Sequence, residues 1–117
     1  MLVPDVAQIA ASYFDAWKAR DWEALASLLA DDVSFAGPLG TAEGAEACVA
    51  GMRQLGEIVA DIEVEHRVVD GDDVVTWFHL HTTTAGVVGP VANWSHVSYG
   101  RIDRIRVTFD PRPLLGA

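Results

Sequence analysis

With 117 residues, half of them hydrophobic and 21% charged, the chain is expected to fold as one packed domain over residues 1–117 and not to stay disordered. The formal net charge of −9 repels phosphate backbones and anionic lipids, so we expect neither nucleic acid nor a membrane as a partner. The single cysteine, Cys48, excludes an internal disulfide, and the start, MLVPDVAQ, lacks the basic and apolar stretches of a signal peptide, so a cytoplasmic protein is expected.

The first half of the chain predicts three helices. Asp5 and Gln8 form a capping box at the start of the first helix, and apolar residues recur at helical spacing from there to residue 17. Asp21 can cap a second helix, whose leucines face inward. A short strand over residues 33–36 precedes a turn, and a third helix is predicted over residues 45–55.

The second half predicts a curling antiparallel sheet. Apolar and charged residues alternate over residues 62–68, which is the pattern of a half-buried strand. Residues 74–84 and 91–99 are rich in β-branched and aromatic side chains, and a last strand over residues 102–109 ends at Asp110 and the proline after it. Helices followed by such a sheet predict an α+β layout, with the helices covering one face.

The hairpin turns predict which side chains share a face. A two-residue turn at Tyr99-Gly100 pairs Ile105 with Trp94, and Ile105 belongs to the apolar face of the last strand. A turn at Ala85-Gly86 would then pair Trp77 with Trp94. This register predicts an inner face that carries the aromatic and imidazole side chains Trp77, His79, His81, Trp94 and His96, together with Ala92.

The segments YFDAWKARDWEALASLLADDVSFAGPLG (13–40) and GRIDRIRVTFDPRP (100–113) resemble the SnoaL-like and ketosteroid-isomerase-like branch of the NTF2-like superfamily. The resemblance implies a cone in which three N-terminal helices pack on a strongly curved, mainly antiparallel sheet that encloses a pocket. It further implies a small hydrophobic ligand and a homodimer. Members include isomerases, polyketide cyclases, epoxide hydrolases and non-catalytic binding subunits.

Matching motifs residue by residue shows which catalytic groups of this family are absent. Steroid isomerases use an Asp base, with a Tyr and a protonated Asp that hold the oxyanion. Tyr13 matches the tyrosine, whereas the base falls on Gly37 and the protonated acid on Ala92. The aspartate on the last strand of limonene-type epoxide hydrolases falls on Val107. Neither activity is therefore expected.

Three functions stay open at this point, the third being a structural dimerisation module whose cavity is filled by its own side chains. In the first, the chain is an isomerase, cyclase or hydratase acting on a hydrophobic carbonyl compound, with His79 moving a proton and Tyr13 polarising an oxygen. In the second, it only binds such a molecule. In both, the predicted ligand contacts are Trp17, Phe35, Trp77, His81, Ala92, Trp94, His96, Val107 and Phe109.

Two other uses of the histidines are weaker hypotheses. Asp103 could orient His96 as a dyad, although a partly exposed structural pair is the simpler interpretation. His79 and His81 have the spacing of two metal ligands on one strand, but no third ligand is close in the predicted register. We therefore predict no metal and no cofactor.

Overall fold

A computed structural model gives the positions of residues 5–115. The ends of the predicted 1–117 domain, residues 1–4 and 116–117, lie outside the described residues. The helices are α1 (Val6–Ala19), α2 (Trp22–Ser27) and α3 (Ala45–Gly56), and a 3₁₀ turn spans Arg112–Leu115. The Asp5 carboxylate caps α1 by accepting from the Gln8 N–H at 2.7 Å, and Asp21 caps α2 in the same way through Ala24.

Six strands form one curved sheet with the order β2-β1-β6-β5-β4-β3. Among the strand pairs within residues 5–115, only β1 and β6 run parallel. The predicted α+β class, with three helices on a mainly antiparallel sheet, is confirmed. The strands are β1 (Leu29–Gly37), β2 (Gly40–Glu43), β3 (Val59–Asp70), β4 (Asp73–Thr82), β5 (Val87–Ser98) and β6 (Arg101–Thr108).

The strand boundaries differ from the prediction at the front of the chain. The predicted second helix included Leu28 and Leu29, but α2 stops at Ser27 and Leu29 begins β1. Strand β2 was not predicted, because its sequence, GTAE, has little strand propensity. It exists because its backbone pairs with β1 after the turn at Pro38-Leu39.

The core lies between the helices and one face of the sheet, which we call the inner face. Aromatic packing joins the two layers. The Phe14 and Phe78 rings meet edge to face with their centroids 5.0 Å apart, and the Trp17 ring is perpendicular to that of Phe78 in a T-shaped contact. Within residues 5–115, no helix is long and apolar enough to cross a membrane.

One β-bulge overturns the predicted register of the last hairpin. The turn at Tyr99-Gly100 is correct, because Ser98 pairs with Arg101 and Val97 with Ile102. The next pair is His96 with Arg104, so Asp103 is an extra residue without a partner on β5. From there onward every pair is displaced by one residue, and such a slip moves each side chain to the opposite face.

The consequence is that the face of β4 and β5 predicted to be inner is the outer face of the sheet. Trp94 pairs with Arg106 and Trp77 pairs with Ala92, and both tryptophans are exposed at 41%. The two tryptophans do share a face, as predicted, but that face points away from the helices. The prediction that the following side chains point inward is therefore wrong: Trp77, His79, His81, Ala92, Trp94 and His96.

The inner positions of β4 and β5 are occupied by their neighbours in sequence. Thr76, Phe78, Asn93 and Ser95 are all at most 2% exposed. The predicted turn at Ala85-Gly86 is also replaced by a longer connection over residues 83–86 between β4 and β5. The inner face of these two strands therefore carries one large aromatic ring and three small polar side chains among buried aliphatic ones.

Candidate functional site

A cavity of about 550 Å³ lies between the inner face of the sheet and helices α1 and α3. Its volume is in the range of small-molecule sites in proteins. Of the predicted ligand contacts, Trp17, Phe35, Val107 and Phe109 line this cavity, and so does Tyr13, which was predicted to be catalytic. What these residues contact in a ligand stays a prediction.

The lining carries no charge within the described part of the chain. It contains no Asp, Glu, His, Lys or Arg, and its only titratable side chains are Tyr13 and Cys48. Burial raises the pKa of the Cys48 thiol, so the neutral thiol is the stable form there. An uncharged lining cannot compensate the desolvation of an ionised ligand, and it offers no carboxylate or imidazole as a general base.

Tyr13 and Asn93 form the polar centre of this cavity. The Tyr13 hydroxyl donates to the Met52 sulfur at 3.4 Å, and the Asn93 side-chain oxygen accepts from the Ser95 hydroxyl at 2.8 Å. Burial raises the pKa of Tyr13 well above its ordinary value, and a side-chain hydrogen bond with Asn93 partly opposes that rise. Tyr13 is therefore a neutral hydrogen-bond donor at physiological pH.

The acceptor that Tyr13 uses is a poor one. A thioether sulfur is a weak hydrogen-bond acceptor, and within residues 5–115 it is the one partner to which the hydroxyl donates. A carbonyl oxygen in the cavity would be a stronger acceptor for the same proton. The Asn93 side-chain oxygen accepts from Ser95, so the NH₂ group is the part of this amide that can donate to a ligand.

Trp17 adds a third potential donor. It lines the cavity with only 6% of its surface exposed, and its indole Nε1 has no hydrogen-bond partner in the described part of the chain. An unpaired buried N–H costs about 1–3 kcal/mol. A bound acceptor or water that reached this atom would recover part of that free energy.

Three of the four sheet histidines, His79, His81 and His96, lie outside the cavity, each beside a carboxylate on the outer face. His79 Nδ1 is 2.7 Å from Glu65 Oε1, although the two are not aligned as a hydrogen bond. His81 Nε2 lies 3.1 Å from Glu63 Oε1. The contact predicted for the weaker dyad hypothesis is present, since His96 Nδ1 is 2.7 Å from Asp103 Oδ1, but it too lies on the outer face.

This placement removes the geometric basis for His79 as the proton carrier. The side chain neighbours Glu65 and the backbone of Gly89, where an added Cβ would come within 2.9 Å of the His79 ring. The cavity lies on the other side of the sheet, where β4 contributes Phe78 and Leu80 to its lining. Among the described residues, no group of three or more His, Cys, Asp or Glu side chains could hold a metal ion.

Asn93 is the functional candidate that sequence reasoning missed. The resemblance placed the isomerase's protonated acid on Ala92, one residue away, and Ala92 points outward. A signal was present in the sequence: Ile102 and Ile105 are both apolar, yet they are three residues apart with charged residues between them, and the structure buries both. Strict alternation does not allow that spacing on one face, so an extra residue between them is implied.

Comparison with known proteins agrees with the fold. The family model of the SnoaL-like domain matches residues 10–105. No curated protein matches the chain. A solved structure from Kribbella flavida is 26% identical with a TM-score of 0.86, and the match covers 92% of this chain and 88% of that one.

Two further structures share the fold at lower identity. An NTF2-like protein of unknown function from Cytophaga hutchinsonii is 22% identical, with a TM-score of 0.84 and 95% of each chain covered. An LEH-like epoxide hydrolase from M. tuberculosis is 19% identical, with a TM-score of 0.77, covering 95% of this chain and 86% of that one. These similarities establish the architecture, while the chemistry depends on the residues in the cavity.

Proposed function

Because the chain belongs to the SnoaL-like family, we propose that its cavity binds a small, uncharged, largely hydrophobic molecule through a carbonyl or similar acceptor oxygen. The observation that carries this proposal is the Tyr13 hydroxyl, a neutral buried donor whose protein acceptor is a thioether. Around it, the lining is apolar and uncharged. Such a site favours a ligand with one polar atom and a hydrophobic body.

The proposal is for binding without acid-base chemistry. An enzyme of the isomerase or cyclase type needs a group that takes a proton as well as one that polarises an oxygen. Tyr13 and Asn93 supply the second function, and these two donors are the observation that favours an enzyme. The lining within the described chain supplies no base, so binding is the function that the geometry supports best.

The uncharged lining predicts a marked preference for neutral ligands. We expect 2-acetylnaphthalene to bind at least about tenfold more tightly than 2-naphthoate, which has the same rings but a carboxylate, because burying an unpaired charge costs several kcal/mol. Isothermal titration calorimetry with both compounds measures this ratio. Equal or tighter binding of 2-naphthoate would contradict the proposal.

Two variants assign that binding to the proposed donor. Tyr13→Phe keeps the ring and removes the hydroxyl, and it should weaken 2-acetylnaphthalene binding about 3-fold to 10-fold, the value of one neutral hydrogen bond. His79→Ala is the control on the outer face and should leave the affinity unchanged. If His79→Ala weakened binding and Tyr13→Phe did not, the ligand would lie elsewhere.

A further inference from the structure

The residues that follow β6 separate part of the cavity from solvent. We call residues 110–115, which include the 3₁₀ turn, the flap. Leu114 of the flap lines the cavity and packs against the hydrophobic core, whereas Arg112, Pro113 and Leu115 are exposed. One side of the flap therefore faces the cavity, and the other side faces water.

Within residues 5–115, no hydrogen bond or ion pair joins the flap to the rest of the chain. Its hydrogen bonds are internal, such as the one from the Leu114 N–H to the Pro111 carbonyl at 2.9 Å. The connection between β4 and β5 differs, because the Thr83 N–H donates to the Ile58 carbonyl at 2.8 Å and attaches that connection to the body. The position of the flap therefore depends on the apolar contacts of Leu114.

The flap is stiff within itself. The Asp110 carboxylate accepts from the Arg112 backbone N–H at 3.0 Å and from its guanidinium Nη2 at 2.7 Å. The Arg112 guanidinium and then its backbone N–H lower the pKa of Asp110 to about 2, so this contact persists at physiological pH. Pro111 and Pro113 each fix a further backbone angle. Bending is therefore concentrated where the flap joins Phe109, and the flap moves as a unit.

We propose that the flap is a lid, which opens to admit a ligand to the cavity and closes over it through Leu114. This inference rests on the ligand cavity proposed above. Without a ligand, one partly buried leucine holds the flap closed, so the open form is readily reached. A hydrophobic ligand adds apolar contacts with Leu114 that exist only in the closed form, and it thereby shifts the equilibrium toward closure. A molecule long enough to displace Leu114 loses these contacts, so the same residue limits ligand size.

Methyl NMR of the full chain measures this motion directly. The Leu114 methyl signals of the free protein should show exchange on the microsecond-to-millisecond scale of lid opening, and saturation with 2-acetylnaphthalene should abolish it. Leu80 is the matched control, because it lines the same cavity from β4 and is 1% exposed. Its signals should shift with ligand and show no such exchange in either state. A Leu114 signal without exchange in the free protein, or with exchange that persists at saturation, would overturn the lid.

Dissociation kinetics test whether closure retains the ligand. Leu114→Ala should release 2-acetylnaphthalene about tenfold faster, because lost apolar contact appears mainly in the dissociation rate. Asp110→Ala changes a residue outside the cavity lining and should speed release about 2-fold to 5-fold, the range for an exposed ion pair. Lys18→Gln removes another exposed ion pair, to Asp61 at 2.8 Å, and should leave the rate unchanged. Unchanged rates in both flap variants, with folding checked by circular dichroism, would contradict the lid.

The two experiments separate the lid from the proposed function. If 2-acetylnaphthalene does not bind the unaltered protein, the proposed ligand is wrong, while the Leu114 exchange in the free protein still decides whether the flap opens. If 2-acetylnaphthalene binds and Leu114 is static in the free protein, the lid alone is wrong.

Discussion

Replacing Gly37 with aspartate should give the cavity the base it lacks. We expect Gly37→Asp to isomerise cyclohex-3-en-1-one to the conjugated enone about 10²-fold to 10⁴-fold faster than the unaltered protein, the usual contribution of a positioned general base. Gly37 lines the cavity, and the motif match assigns to it the position of the steroid isomerases' aspartate. Tyr13 and Asn93 already supply donors for the developing oxyanion.

The backbone at Gly37 has room for this change. A Cβ built there meets a Phe35 ring carbon at 3.4 Å and Val107 Cβ at 3.5 Å, which are ordinary contacts. Gly37→Asn is the matched control, since it adds the same volume without a basic oxygen. The reaction is followed by the ultraviolet absorbance of the enone.

Two outcomes would contradict this account of the missing base. If the unaltered protein isomerised the ketone as fast as Gly37→Asp, a base would already be present in it. If Gly37→Asp and Gly37→Asn were equally active, the aspartate would not be taking the proton.

Adjacent residues on opposite faces of β4 should differ sharply in their effect on stability. Phe78 is 1% exposed and packs edge to face on Phe14, so Phe78→Ala should lower the free energy of unfolding by about 3–5 kcal/mol. His79→Ala should cost less than about 1 kcal/mol, since it removes only a partly exposed side-chain contact with Glu65. Urea denaturation at one fixed protein concentration compares the two variants.

The register predicted from the sequence alone would reverse the order of these two stability losses. If His79 pointed inward, His79→Ala would open a cavity in the core and Phe78→Ala would remove an exposed ring. A larger loss for His79→Ala than for Phe78→Ala would therefore show that the two faces are assigned the wrong way round.

Local signals in the sequence predicted most of the helices and strands. The Asp5 and Asp21 caps, the helical stripe of α1 and the Tyr99-Gly100 turn depend on interactions within a few residues, and each is found in the structure. The same kind of reasoning placed Trp77 and Trp94 on one face. Two residues on neighbouring strands still share a face when the pairing shifts by two residues, because the side-chain period of a strand is two.

The side of the sheet facing the core could not be deduced so simply. On β5 the inner residues Asn93 and Ser95 are polar, while the outer residue Trp94 is aromatic. Hydrophobicity alone therefore assigns the wrong face of β5 to the core. The bulge at Asp103 also shifts the pairing of β5 with β6 by one residue, so the inner face of β6 was matched to the wrong residues of β5. The predicted inward placement of Tyr13 was correct because this residue lies on a helix, whose inner side follows from its own periodicity.

The placement of the ligand is tested most directly by the indole signals of ¹⁵N-labelled protein during titration with 2-acetylnaphthalene. Single Trp→Phe variants assign the resonances of Trp17, Trp77 and Trp94. The structure predicts that the Trp17 N–H signal shifts with saturation, because Trp17 lines the cavity, while the Trp77 and Trp94 signals on the outer face stay in place. Saturable shifts of Trp77 and Trp94 with an unchanged Trp17 would contradict it.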